Sequence, residues 1–230
     1  MRCNICGGTA FVDMPKRPNV RCSTCGSLER TRVAALYLNG QDRPTQGARI
    51  LHFAPERGLS RLLRETAGTG YRAVDIDPGL YPHTSVERFD LCRDIGSLDV
   101  GSLDLIVHNH VLEHIECNYS VVLTRLMRAL KPEGVMLFSV PILPGAFTDE
   151  LIAGDRATKL AHFGPSLHVR RFGRDHLQET LGMVVRIPER YDLTERFAED
   201  QLVEANIPQH HWRTFTGASI FRVTRQDLLA

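Results

Sequence analysis

The sequence predicts an α/β protein: an open, doubly wound sheet of seven mostly parallel strands, preceded by a small metal-stapled module. Two observations carry that expectation. From Arg49 onward, short apolar runs alternate with stretches of helical periodicity, the order that builds a parallel sheet covered on both faces. Before it stand two C-x2-C pairs with 15 residues between them, the spacing of a zinc ribbon. With 230 residues and 43% apolar composition, the chain can bury one full core and carry a small appendage. The expected division is residues 1–40 for the ribbon with its connecting helix, and 41–230 for the α/β domain.

The ribbon cysteines are Cys3, Cys6, Cys22 and Cys25. Two residues between cysteines let both thiolates of a tight knuckle face one ion, and Gly7, Gly8 and Gly26 follow where the backbone turns. A closed shell of four sulfurs leaves no open position, so the zinc is expected to be structural and to supply the folding energy of a segment with little core of its own. A single C-x-x-C would also suit a redox pair; the duplication argues against that. Cys92 and Cys117 are isolated and read as buried or half-buried thiols.

No apolar run approaches the roughly 20 residues that span a bilayer, and "MRCNICGG" has no apolar signal core. A cytoplasmic location without membrane association is expected, where cysteines stay reduced. The net charge of +1 gives no global reason to bind nucleic acid, but residues 1–70 hold 11 basic and 5 acidic side chains against 17 and 22 in the remainder. A basic amino-terminal module either touches an anionic partner or is a solvated surface. No oligomeric state is implied.

Element by element, "SLERTRVAALYL" has helical periodicity, with Val33, Leu36 and Tyr37 on one face and Arg30 and Arg32 off it. Asn39-Gly40 ends it, and "QDRPTQG" is a polar linker. "RILHFA" is the first strand and 58–67 a helix. "YRAVDID" is the second strand, Thr84 to Phe89 a short third, and "LDLIVHN" a fourth with the unbroken apolar run of a buried parallel strand. "YSVVLTRLMRALK" is an amphipathic helix stopped by Pro132 and Gly134, and "VMLFSVP" is the fifth strand. "RDHLQETLG" reads as a helix closed by Gly182, and "MVVRI" and "ASIFRVTR" finish the sheet.

Ligands of such sheets bind at the carboxyl ends of the strands, so the residues there matter most. They are His52 to Gly58, then Asp75 and Asp77, then Asp90, then Asn109 and His110. Asp75 lies about 20 residues beyond the first loop, where a carboxylate accepts both hydroxyls of a ribose. An acid after the third strand suits the adenine amino group.

At this point the sequence resembles a family. "CNIC…RCSTCGSLER", "LHFAPERG", "AVDIDPG", "FDLCRDI", "SLDLIVHNHVLEHI", "RALKPEGVMLFSVPI" and "HVRRFG" follow the order found in class I S-adenosylmethionine (SAM)-dependent methyltransferases, in the zinc-ribbon-bearing, methyltransferase type 11-like branch. The resemblance covers nearly the whole chain and implies a Rossmann-like methyltransferase sheet, with SAM as cofactor, S-adenosylhomocysteine as product and a structural Zn2+. It implies that His52, Phe53, Ala54, Glu56 and Gly58 form the turn around the methionine part of SAM. Asp75 would bind the ribose with Ile76 beside the adenine, Asp90 and the Leu91 backbone would read the adenine edge, and Asn109 and His110 would close over the sulfonium. His52 stands where most relatives have an acid, and Ala54 and Glu56 stand near usual glycines. Glu56 must therefore point away from the methionine carboxylate or bond its ammonium. Asp77 either shares the ribose or caps the following turn.

Methyl transfer from a sulfonium needs mainly alignment, and a base only when the acceptor is protonated. "HNHVLEHI" places His108, His110 and His114 near Glu113. That invites a metal, but the spacing argues against one, since His108 falls in a strand. Glu113 and His114 read as structural, and His110 as better placed to reach the methyl group. The segment 142–175 is where the fold builds an acceptor site, with His168 as a second candidate base and Arg170 as an anion clamp, or with both pinning the loop. His162 lies in the same segment. His210, His211 and Trp212 line the same mouth or a surface loop.

The expected activity is methylation of an oxygen or nitrogen of a small-molecule or sugar-containing (glycan-type) acceptor. An RNA or protein methyltransferase docking through Arg2, Arg17 and Arg21 is the first alternative. A non-catalytic SAM-fold binding module is the second.

Overall fold

The computed structural model describes residues 1–229. The ribbon comprises the cysteine knuckles and a hairpin of β1 (Phe11–Met14) and β2 (Arg17–Cys22). Helix α1 (Glu29–Asn39) follows. The α/β unit then runs β3 (Ile50–Phe53), α2 (Arg57–Ala67), β4 (Tyr71–Asp75), β5 (Glu87–Arg88), β6 (Leu103–Asn109), α3 (Tyr119–Ala129) and β7 (Leu130–Ser139). Next come β8 (Ile142–Leu143), β9 (Thr148–Asp149), α4 (Arg156–Phe163) and β10 (Arg170–Gly173), then α5 (Glu199–Glu204) and β11 (Phe221–Thr224). No helix among the described residues is long and apolar enough to cross a membrane.

The main sheet has six strands in the order β11-β7-β6-β3-β4-β5. All neighbours are parallel except β11, which runs antiparallel to β7. Strands β3, β6 and β7 are covered on both faces, so Ile50, Leu51, Ile106, Val107, Leu137 and Phe138 are buried without alternation. The chain winds outward from β3 towards β4 and β5, then returns to β6 on its other side. The switch point therefore lies between β3 and β6, and the crevice opens at their carboxyl ends.

The expected seventh strand is not formed. Val184, Val185 and Ile187 are buried as a strand's side chains would be, yet the segment makes a single bridge, Val185 to Leu228. A tight turn at Leu181–Met183 leads into it and Pro188, with no N–H, follows, so no ladder can extend. The expected helix at "RDHLQETLG" is a 3-10 turn, Arg174–His176, followed by turns. Leu177 and Leu181 keep the helical spacing into the core, while the Thr180 hydroxyl bonds the His176 carbonyl. The third strand shortens to Glu87–Arg88. Segment 142–173 makes a separate three-stranded sheet, β8-β10-β9, over the crevice.

Cys92 and Cys117, expected as thiols, form a disulfide with a Cα–Cα distance of 5.7 Å. The loops leaving β5 and β6 bring together cysteines 25 residues apart, which no local spacing announces.

Arg32, expected off the buried face of its helix, is completely buried. Its guanidinium donates to the carbonyls of Val20 (2.9 Å), Ser27 (2.8 Å), Ala205 (2.8 Å) and Asn206 (2.8 Å), and lies 5.1 Å from the Phe11 ring centre. It thereby ties the ribbon to the turn after α5. Glu29, also buried, pairs with Arg17 at 3.2 Å. Val33, Ala34, Tyr37 and Leu38 of α1 join the main core.

Candidate active site

The four ribbon cysteines converge as expected. A zinc ion bonded at about 2.3 Å to four tetrahedral sulfurs sets them about 3.8 Å apart. The Cys3–Cys25 sulfurs are 3.6 Å apart and the Cys6–Cys22 sulfurs 3.5 Å, so the donor set fits zinc with little adjustment. Gly7 and Gly26 have φ of 74° and 75°, and their N–H groups bond the Cys3 and Cys22 carbonyls to close the two knuckles.

A cavity of about 710 Å³ opens at the carboxyl ends of β3, β4, β5 and β6. Phe53 and Ala54 form its floor. Asp75, Ile76 and Tyr81 line one wall, with Asp90, Leu91 and Cys92 beyond them, and His110 and His114 line the opposite wall. Ser166, Leu167 and Arg156 overhang it from the covering segment. Two turns at the switch point carry the left-handed backbone: Ala54 after β3 has φ 47° and His110 after β6 has φ 56°. Non-glycine residues are uncommon there, and such strain clusters at functional sites.

Asp75 accepts from the Asp77 N–H (2.8 Å) and from the Tyr81 hydroxyl (2.9 Å). Burial and the neighbouring Asp75 push the Tyr81 phenol up, so it stays a donor. Asp77 accepts from Gly79 N–H (3.1 Å) and caps the following turn. Asp90 accepts from Cys92 N–H (2.9 Å), which shapes the loop after β5. Tyr81 is a site residue that sequence reasoning missed. Its one signal is its place four residues after Asp77, where a capped turn carries it back over Asp75.

His52, Glu56, Gly58 and Asn109 do not line the cavity; they stand behind its floor. His52 is fully buried, with Nδ1 3.0 Å from the Tyr71 hydroxyl and Nε2 3.3 Å from Glu56. Glu56 turns away from the cavity and also accepts from Asn109 Nδ2 (3.1 Å), with Arg30 at 3.9 Å. Burial alone would raise the Glu56 carboxyl. His52, Arg30 and Asn109 outweigh it and hold the group below the usual carboxylate range. Gly58 faces the ribbon: a Cβ there would lie 3.0 Å from Ile5 Cγ2 and 3.4 Å from Cys25 Sγ.

The histidine cluster divides. His108 is buried in β6, stacked on Phe138, and burial lowers its pKa to about 3. His110 Nε2 donates to the Gly217 carbonyl (2.9 Å), which leaves Nδ1 as the lone-pair nitrogen. Burial and then Arg30 lower its pKa to about 3, so it is neutral. His114 and His168 stack edge to face with centres 4.8 Å apart, beside the fully buried Glu113, and burial pushes the Glu113 carboxyl up to about 8.

Arg170 is no anion clamp. It is completely buried and donates to the carbonyls of Leu112, Ile115 (2.9 Å) and Cys117 (2.9 Å), and to Asp149 (3.1 Å), so it pins the loop after β6. His162 pairs on the surface with Glu150 at 2.8 Å. His211 bonds Thr216 at 2.8 Å and Trp212 is buried with its indole N–H on the Ile207 carbonyl, so neither reaches the mouth. The apolar ring of Trp212 gains more by joining the core than by lining a polar rim.

A family model described as a methyltransferase domain matches residues 28–182. No curated protein matches the chain. Among solved structures, a SAM-dependent methyltransferase from Mesorhizobium loti is 21% identical over 44% of this chain and 50% of that one, with TM-score 0.37. Coclaurine N-methyltransferase, bound to N-methylheliamine and SAH, is 13% identical over 88% and 61%, with TM-score 0.47. Phosphoethanolamine N-methyltransferase 2 of Haemonchus contortus, in complex with SAM, is 16% identical over 74% and 40%, with TM-score 0.43. The chain thus spans between 40% and 61% of the length of these three proteins. With the family model running through more than half of its length, the chain belongs to the methyltransferase domain family.

Proposed function

We propose that this SAM-dependent methyltransferase transfers the methyl group to an oxygen or nitrogen of a small-molecule or sugar-containing acceptor. The observation that carries the proposal is the cavity at the switch point, with carboxylates at the ends of two adjacent strands and left-handed turns at the ends of two others. Asp75 binds the ribose diol, Ile76 lies beside the adenine, and Asp90 and the Leu91 backbone read the adenine edge. Phe53 and Ala54 run under the methionine part, where the small Ala54 side chain allows close backbone approach. His52, Glu56, Gly58 and Asn109 hold that turn from behind.

Bound SAM supplies an already activated methyl group. The protein's share is to hold the acceptor atom about 3–3.5 Å from it and in line. His110 stands at the β6 edge of the cavity with a free Nδ1 lone pair, and His168 near its mouth. One of them takes the acceptor's proton as the new bond to carbon forms and the carbon–sulfur bond breaks, leaving S-adenosylhomocysteine. Residues 1–40 act as a module that braces the SAM turn through α1, Glu56 and Gly58.

Calorimetric titration of the zinc-loaded protein with SAM and S-adenosylhomocysteine tests this. Micromolar binding of both is expected, weakened by about 1–3 kcal/mol in Asp75→Ala through unpaired polar contacts. No binding by folded protein would overturn it and leave a non-catalytic module. One feature favours a second reading, an RNA or protein acceptor. Arg57, Arg61, Arg64 and His83 line a depression beside Thr24 and Cys25 of the ribbon. Salt-dependent nucleic-acid binding lost in Arg61→Ala and Arg64→Ala would support it.

A further inference from the structure

Glu113 leads the loop after β6, beside the cavity wall made by His110 and His114. Among the described residues, neither of its carboxylate oxygens has a hydrogen-bond partner, although the side chain is fully buried. A buried carboxyl in that state is costly to ionise unless something compensates it. Arg30 and Arg170 act on it only from a distance: Arg170 spends its guanidinium on three carbonyls and Asp149, and Arg30 turns towards Glu56.

What does face Glu113 is imidazole. His114 Nε2 and His110 Nδ1 each lie 3.8 Å from Glu113 Oε1. The other nitrogen of each ring is engaged by a backbone carbonyl, Leu167 for His114 Nδ1 (3.4 Å) and Gly217 for His110 Nε2 (2.9 Å). A carbonyl can only accept, so those nitrogens carry the protons, and the nitrogens facing Glu113 carry lone pairs. Two imidazole lone pairs thus converge on a buried carboxyl, and nothing around them other than that carboxyl's own proton can donate. At 3.8 Å they are too far apart for a shared hydrogen bond and spaced for an ion between them. His168 completes the group, with one ligand atom from each of Glu113, His114 and His168 within 4.8 Å of the others.

We propose that Glu113, His114 and His168 bind a divalent transition-metal ion of the zinc type at the mouth of the cavity. Bonds of about 2.0–2.2 Å place tetrahedral ligand atoms about 3.4 Å apart. Glu113 and His114 need to close by only a few tenths of an ångström, and His168, half-buried on the covering segment, swings in to join them. A carbonyl holding the far nitrogen of a ligating histidine is the usual outer partner of such a site. Two imidazoles and one carboxylate leave a fourth position open, unlike the closed ribbon centre, and it faces the cavity that His114 lines. Resting on the methyltransferase reading above, the ion selects an acceptor that offers it an oxygen, lowering that hydroxyl's pKa and leaving His110 to take the proton.

The test uses the full chain with its ribbon zinc in place, then titrated with Co2+ or Zn2+ alone, with neither SAM nor acceptor. Wild type should take up two equivalents of metal per chain in total. Co2+ at the second site should give visible bands without the sulfur charge-transfer absorption of a thiolate site. His168→Ala, at a half-buried position, should keep the ribbon equivalent and weaken the second by more than the 10–100-fold that loss of an outer partner costs. Glu113→Gln should do the same. A single equivalent in folded wild type, or a second one untouched in His168→Ala, would overturn the proposal. Because no SAM is present, that outcome is separate from a failure of SAM binding.

Discussion

Two of the ionisable side chains buried among the described residues, Arg32 and Glu113, sit in surroundings built in opposite ways. At the ribbon seam, the Arg32 guanidinium meets four backbone carbonyls and an aromatic face. At the cavity mouth, Glu113 meets lone pairs and no donor among the described residues. A buried charge with every hydrogen bond made holds parts together, and its removal orphans its partners. A buried carboxyl with none made waits for something else. The contrast separates scaffold from chemistry without reference to any relative.

The largest expected effect breaks the scaffold side. Stripping zinc with a strong chelator, or Cys22→Ser, should unfold the ribbon and lower the melting temperature of the whole chain, since structural zinc contributes on the order of 10 kcal/mol to small modules. Circular dichroism melts would read it, and an unchanged melt would mean the ribbon folds on its own contacts. Next, Arg32→Met should cost about 3–5 kcal/mol in urea unfolding, because four carbonyls lose their donor in a dry seam. Glu113→Gln sharpens the comparison from the other side. It changes an equally buried ionisable group, but no hydrogen bond is lost, so a cost below about 1 kcal/mol is expected. A cost equal to that of Arg32→Met would erase the distinction. The smallest effect belongs to Gly58→Ala. The helix gains about 1 kcal/mol of propensity, and Ile5, 3.0 Å from the new methyl, takes some of it back. Stability in urea unfolding should change by less than about 1 kcal/mol, and a larger loss would mean the ribbon seam cannot give way.

Much of the scaffold was legible from residues alone. The unbroken apolar runs of β3, β6 and β7 announced strands buried on both faces, and the cysteine quartet announced its own geometry. Asp77 as a turn cap was readable from "DIDPG". What escaped depends on partners far away in sequence. Arg32 reads as surface because arginine usually is, and its acceptors at Ala205 and Asn206 lie 173 and 174 residues on. Cys92 and Cys117 read as separate thiols until two strand exits bring them together. "MVVRI" has strand composition, but its ladder is limited by Pro188 and the turn before it. Glu113 reads as structural beside "LEHI", and only the burial of its unpartnered oxygens singles it out.

The left-handed turn at Ala54 has a consequence for sequence drift. At φ 47° the backbone admits glycine readily and asparagine or aspartate with small penalty, but it excludes valine, isoleucine and threonine by steric clash. Of the single-base changes open to an alanine codon, those to glycine and aspartate are the conformationally tolerated ones, and in the proposed cofactor pose aspartate would set a negative charge against the methionine carboxylate of SAM. Glycine is therefore the one neutral neighbour of this position in mutational space, which would bring "HFAPERG" a step nearer the glycine-rich loops it stands apart from.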